Sequence, residues 1–145
     1  MKKDKAIICD LDSTMFDIDH RLHFLEEKQW DEFFAACVDD TPNDWCVELV
    51  HAMVAAGYTI IFVSGRNEVV RAETQAQLQA LGFGTHKLFM RPRDDRRGDV
   101  DFKRKLLETE LAATDILFVI EDRQRVCEMW RSHGIIVLQC ASGDF

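Results

Sequence analysis

Ala6-Ile7-Ile8-Cys9-Asp10-Leu11-Asp12-Ser13-Thr14 decides how this chain is read. From Ala6 to Leu11 the run is apolar except for Asp10, as in a strand buried on both faces rather than one alternating between core and water. Asp10 and Asp12 leave its carboxyl end two residues apart, on the same side as long as the backbone stays extended. An isolated Asp-x-Asp is more often a turn capped by its own side chains, so the pair needs support from elsewhere.

That support recurs along the chain. Thr59 to Val63, Lys87 to Met90, Ile116 to Ile120 and Ile135 to Gln139 also read as strands. Helical patterns separate them: Asn43 to Ala56, Glu68 to Leu81, Val100 to Ala112 and Arg123 to His133, with Gly57, Gly82 and Gly134 as stops. Continuous apolar strands alternating with helices predict a doubly wound α/β fold, a parallel sheet covered on both faces. Residues 15–42 interrupt the alternation, and Trp30, Phe33 and Phe34 at helical spacing predict a small helical cap there. With 145 residues and no linker-like stretch, one domain over residues 1–145 is predicted.

Hydrophobic residues make up 47% of the chain and prolines number two, which describes a packed globule rather than a disordered segment. No apolar stretch approaches the roughly 18 residues of a membrane helix, and the first five residues lead into no signal peptide, so a cytoplasmic protein is expected. Five cysteines, odd in number and without Cys-x-x-Cys, argue against a disulfide framework or a thiolate zinc site. The net charge of -8 repels polyanions at long range, so a nucleic-acid partner needs a local cationic patch. Arg91, Arg93, Arg96 and Arg97, followed by Lys103, Arg104 and Lys105, offer one.

Carboxylates as close as those of Asp10 and Asp12 repel one another, and a cation relieves the repulsion; hard oxygen ligands beside a phosphate favour magnesium. Ile116 to Ile120 ends in Glu121-Asp122, an apolar run again terminating in paired acids. In an open parallel sheet, ligands bind beyond the strand carboxyl ends where the winding reverses, so the four acids converge if these two strands flank that point. Val63-Ser64-Gly65-Arg66 brings a hydroxyl, a permissive glycine, a guanidinium and helix amides to the end of the second strand, a set suited to phosphate. Lys103 stands early in a helix, where a cation opposes the dipole and so points to a specific partner. His20 and His23 lie at i and i+3 with no third ligand nearby, and read as cap surface or substrate contacts rather than a metal site.

In this order the four stations resemble the signature motifs of the haloacid dehalogenase superfamily of phosphatases. Asp10 to Thr14 is similar to the first, with Ser13 at a position often glycine, Ser64 to the second, Lys103 to the third and Glu121-Asp122 to the fourth. More narrowly, Val63 to Arg66, Arg91 ahead of Asp99 and Lys103, Asp122-Arg123, Glu128 to Arg131 and the closing Ala141-Ser142-Gly143-Asp144-Phe145 resemble the 3'-phosphatase domain of phage polynucleotide kinase-phosphatase. That domain has aspartate where this chain has Glu121.

The resemblance implies a Rossmann-like sheet of order 5-4-1-2-3, its five strands numbered along the chain. It implies Asp10 as nucleophile forming an aspartyl-phosphate, Asp12 as general acid and base, and Lys103 as the screening cation, with Ser64 and Gly65 around the phosphoryl oxygens. Mg2+ would be held by the Asp10 carboxylate, the Asp12 backbone carbonyl and Asp122, with Thr14 and Glu121 in support. Arg66, Arg91 and Arg123 would contact substrate phosphates or brace the acids. Removal of 3'-phosphates from DNA or RNA ends is the activity implied. Hydrolysis of nucleotides or other small esters suits the acidic balance better, and phosphate binding without turnover is a third reading. The sequence contains no Gly-x-x-x-x-Gly-Lys-Ser/Thr, so kinase activity is not expected.

Overall fold

The computed structural model describes residues 3–143. In chain order its elements are β1 (Ala6–Cys9), β2 (Phe16–Asp17), α1 (His23–Glu26), α2 (Trp30–Ala35), β3 (Thr41–Pro42), α3 (Asp44–Ala55), β4 (Thr59–Asn67), α4 (Arg71–Ala80), β5 (Lys87–Arg91), α5 (Asp99–Glu108), β6 (Ile116–Arg123), α6 (Gln124–Ser132) and β7 (Val137–Gly143). Asp144 and Phe145, where the resemblance ends, lie outside the described residues.

Five strands form a parallel sheet in the order β5-β4-β1-β6-β7. Counted without the two short strands β2 and β3, this is the predicted order read from the opposite edge. Successive residues of β1 serve opposite faces. Ile7 and Cys9 pack with Cys46 and Val50 of α3 and Leu78 of α4, while Ala6 and Ile8 pack with Leu106 of α5 and Val126 and Trp130 of α6. Burying each of the larger side chains contributes about 1.5–3 kcal/mol. A one-residue slip of β1 would carry Asp10 into an apolar layer, which fixes the register and with it the height of Asp10 above the sheet.

Strands β4 and β6 run beyond their predicted ends because the polar residues that follow the apolar runs keep pairing. Asn67 lies opposite Arg91 of β5, and Arg123 opposite Gly143 of β7. Ser64, Glu121 and Asp122 are therefore held by sheet rather than by loops. Residues 15–42 depart from a purely helical cap: Phe16 pairs with Pro42 and Asp17 with Thr41 in an antiparallel ribbon that closes the base, and α1 and α2 are only four and six residues long. Two-residue strands are too short to leave a periodic signature.

Candidate active site

The chain leaves β1 toward β4 and β5 on one side, then crosses to β6 and β7 on the other, so β1 and β6 flank the reversal point. The Asp10 N–H donates to the Ile120 carbonyl at 3.0 Å, which sets Asp10 beside the acid pair of β6. Carboxylate oxygens of Asp10, Glu121 and Asp122 lie within 4.8 Å of one another, and all three residues are buried. Lys103 reaches them from α5, donating to Asp10 Oδ1 at 3.0 Å and Glu121 Oε2 at 2.9 Å and pairing with Asp99 Oδ2 at 3.3 Å.

One ammonium thus faces an excess of carboxylates. Burial, then Asp10, raises Glu121 well above the usual carboxylate range, and the same two causes push Asp122 up to about 7. Burial disfavours the charge on Lys103, but Asp10, Asp99 and Glu121 outweigh it and hold the ammonium well above its ordinary value.

Asp12 does not join this group, contrary to the convergence expected of four acids on an extended backbone. The chain turns at once, with Ser13 at φ 62°, a left-handed conformation that glycine adopts more readily than serine. Asp12 Oδ1 instead accepts from Arg21 Nη2 and Arg66 Nε, both at 2.8 Å. The same guanidiniums clamp Asp40: Arg21 donates through Nε at 2.8 Å and Nη2 at 2.7 Å, and Arg66 through Nη2 at 2.8 Å. His20 Nε2 lies 2.6 Å from Asp40 Oδ1. Burial alone would raise Asp12, but Arg66 and Arg21 together hold its carboxyl below the ordinary value.

Asp10, Asp12, Gly65, Glu121 and Asp122 line one cleft of about 1040 Å³, with Arg91 and Arg123 also on its wall and Trp30 and Phe34 contributed by the cap. Ser64, Arg66 and Lys103 are buried and are not on its surface. Ser64 Oγ accepts from the Arg66 N–H at 3.0 Å. Arg66 also donates to Thr74 and Gln77, so its nitrogens serve protein partners. Arg91 donates to the Gly65 carbonyl at 3.0 Å and to Asp99 Oδ1 at 3.3 Å; Arg123 pairs with Asp99 Oδ2 at 3.7 Å. A Cβ at Gly65 would stand 2.5 Å from Asp99 Oδ1, so the glycine is what lets this strand end pass beside α5. Thr14 Oγ1 lies 3.2 Å from Asp10 Oδ2 and 3.3 Å from Asp122 Oδ1, its single proton serving one at a time.

The acid cluster fits a hard divalent cation. Its donors are all oxygen, and Asp122 Oδ2 is buried without a hydrogen-bond partner among the described residues. Glu121, expected only in support, belongs to the cluster on equal terms with Asp10 and Asp122, whereas the Asp12 carboxylate does not.

Arg21, Asp40 and the threefold pairing of Asp99 were not among the predicted site residues. Arg21 and Asp40 are single charges in a segment read as cap, 19 residues apart, and nothing local marks them as partners.

A parallel sheet of this order, with a strand-end aspartate facing a buried lysine and an acid pair across the reversal point, is the arrangement of the haloacid dehalogenase class of phosphatases. Within that class the chain belongs to the family of the polynucleotide kinase PNKP phosphatase domain, whose model matches residues 4–145. It is 29% identical over 137 residues to a provisionally named bifunctional polynucleotide kinase/RNA ligase of Autographa californica nuclear polyhedrosis virus, a match covering 88% of this chain and 18% of the viral protein. Among solved structures it is similar to a chain of a Pnkp1/Rnl/Hen1 complex, at 28% identity and TM-score 0.84 over 98% of this chain and 47% of that one. A class C acid phosphatase from Bacillus anthracis shares the fold at 16% identity and TM-score 0.64, over 99% of this chain and 70% of the other. The chain thus spans under a fifth of the viral relative and about half of the Pnkp1-complex chain.

Proposed function

We propose that this chain is a magnesium-dependent phosphomonoesterase that removes 3'-phosphates from polynucleotide ends through an aspartyl-phosphate on Asp10. The observation that carries the reading is Asp10 itself: it lines the cleft, and Lys103 pairs with one of its oxygens at 3.0 Å.

In the first half of the reaction an Asp10 carboxylate oxygen bonds to phosphorus as the bond from phosphorus to the 3'-oxygen breaks, and the Asp12 carboxyl, which must first take up a proton against the pull of Arg21 and Arg66, gives it to that departing oxygen. In the second half Asp12, now a carboxylate, takes a proton from water as the water oxygen attacks phosphorus and releases Asp10. Lys103 keeps Asp10 oriented and screens charge developing beside it. Asp10, Glu121 and Asp122, together with the Asp12 backbone carbonyl, would hold Mg2+, which when bound neutralises phosphoryl oxygens and eases the approach of one anion to another. Gly65, with Ser64 beneath it, Arg91 and Arg123 would receive the phosphate, while Arg66 braces Asp12.

The arginines 91–97 beside the cleft favour a polymer end over a free nucleotide, and membership of the PNKP phosphatase family supports the same choice. The chain carries no phosphate-binding kinase loop, and we assign it no kinase activity. Its five unpaired thiols suit a reducing compartment such as the cytoplasm.

The test is phosphate release, with magnesium and with chelator, from a 3'-phosphorylated oligonucleotide and from a 3'-mononucleotide at equal concentration, repeated with Asp10→Asn. The expected result is preference for the oligonucleotide, dependence on the metal and no turnover by the variant. Preference for the mononucleotide would move the assignment to nucleotide hydrolysis, and undiminished turnover by the variant would overturn the mechanism.

A further inference from the structure

We infer that Trp30 is a stacking platform for an unpaired base near the 3' end of a single-stranded polynucleotide, and that Arg93, Arg96 and Arg125 hold the sugar-phosphate backbone leading to it. The inference rests on the cleft being a phosphatase site for polynucleotide ends.

Trp30 is 55% exposed and lines the same cleft as Asp10. Its ring is nonetheless held in place. It lies 6.4 Å from Phe33 in an edge-on contact and 6.4 Å from Phe34 in a stacked one. Phe33 is buried in turn, with the Arg21 guanidinium 4.4 Å from its ring centre. A large ring anchored on one side and bare toward a catalytic cleft presents a preformed π face, and every nucleobase has a complementary one. Of the other tryptophans, Trp130 is fully buried and Trp45 does not line this cleft.

The arginines of the cleft divide into two sets. Arg91 and Arg123 are committed to Asp99, and Arg97 to Asp95. The guanidiniums of Arg93, Arg96 and Arg125 are exposed toward solvent and make no hydrogen bond or ion pair among the described residues, although they line the cleft. In a chain of net charge -8, three unpaired cations in one cleft are the local attraction a polyanion requires. The cleft's 1040 Å³ reaches the upper end of the range of about 300–1,000 Å³ usual for small-molecule sites, leaving room for more than the terminal phosphate. Bases inside a duplex have both faces covered, so a stacking platform selects an unpaired end.

The experiment compares kcat/KM on a 3'-phosphorylated single-stranded oligonucleotide with that on an otherwise identical oligonucleotide whose terminal residues are abasic, for wild type, Trp30→Phe and Trp30→Ala. Wild type is expected to prefer the base-bearing strand by about 5- to 100-fold. Trp30→Phe should keep most of that preference and Trp30→Ala should bring it close to one. Replacing Arg93, Arg96 and Arg125 by Gln together should lower the slope of log(kcat/KM) against log salt by about 2. Equal rates on both strands for wild type, or a preference that survives in Trp30→Ala, would overturn the platform while leaving the phosphatase reading intact. A wild type inactive on both strands would remove the phosphatase reading and the platform with it.

Discussion

Two buried charge clusters flank the end of β1, and they are built on opposite rules. Around Asp12 and Asp40 stand two guanidiniums, those of Arg21 and Arg66, so two acids meet two permanent cations. Around Asp10 and Glu121 stands one ammonium, shared with Asp99, which Arg91 and Arg123 also pair, and Asp122 lies beside them with one of its oxygens unpartnered among the described residues. The first cluster is complete within the protein and joins cap to sheet, since Arg21 and Asp40 belong to residues 15–42 while Arg66 belongs to β4. The second is short of positive charge. A balanced cluster positions; an unbalanced one asks for a cation. Their separation also explains how two acids lining one cleft can differ, Asp12 being held below its ordinary value and Asp122 lifted to about 7.

The largest effect expected along this division is that of Asp12→Asn. Asparagine keeps an oxygen for Arg21 and Arg66, so the balanced cluster should persist while proton transfer is lost. Turnover of a 3'-phosphorylated oligonucleotide should fall by about 10² to 10⁴, whereas first-turnover release of a leaving group that needs no proton, such as nitrophenolate, should fall much less, the loss of the base slowing only later turnovers. Equal losses on both substrates in the first turnover would mean that Asp12 acts through the structure of the cluster alone.

How far the site could be read from sequence follows the same line. Asp99 apart, the unbalanced cluster was legible because its members sit at a strand end or one helical turn into a helix: Asp10 after β1, Glu121 and Asp122 in β6, Lys103 on α5. Strand ends are marked by a change from apolar to polar residues, and the sheet brings them together by a general rule. The balanced cluster was not legible. Arg21 lies in a single 3-10 turn and Asp40 just beyond another, and such turns have no pattern from which a facing partner can be inferred. Arg66 was seen, but sequence could not tell a guanidinium facing a phosphate from one saturated by Asp12, Asp40, Thr74 and Gln77. The antiparallel ribbon at the cap base escaped for the same reason of length.

Removing one cation from each cluster sharpens the comparison. Arg66→Met leaves two acids with one buried guanidinium and should cost about 3–5 kcal/mol in urea unfolding, with magnesium giving no recovery. Lys103→Met should also destabilise the metal-free protein, but here saturating magnesium should return part of the loss, since a ligand of the folded state at 100 times its Kd contributes about 2.7 kcal/mol. The pH dependence follows in sign. The Asp122 pKa is raised in the fold, so its contribution is intact below the ordinary carboxylate value and is lost as pH rises through about 7. Asp12 works the other way: its contribution holds above the ordinary value and disappears as pH falls through the lowered one. Metal-free wild type should therefore be most stable in mild acid and weaken toward pH 8, and magnesium should flatten that decline. Unfolding midpoints at pH 5 and pH 8, in chelator and in magnesium, measure it; a decline that magnesium leaves untouched would contradict the cation site.

The smallest effect comes from a residue that carries no charge. Gly143 closes β7 beside Asp122, and a Cβ there would stand 2.5 Å from Asp122 Oδ2 and 3.2 Å from the Asp122 carbonyl oxygen. The carbonyl belongs to β6 and cannot give way, so the carboxylate must turn, and the oxygen it moves is the buried one without a partner. Gly143→Ala should therefore weaken magnesium binding by about 10- to 100-fold, the range usual when a ligand loses its orientation, with turnover recovering as magnesium is raised. Gly98→Ala is the matched control, because a Cβ at Gly98 meets nothing within 4 Å. If calorimetry gives Gly143→Ala the wild-type affinity for magnesium, Asp122 Oδ2 is not a ligand, and the charge deficit of the second cluster must be met in another way.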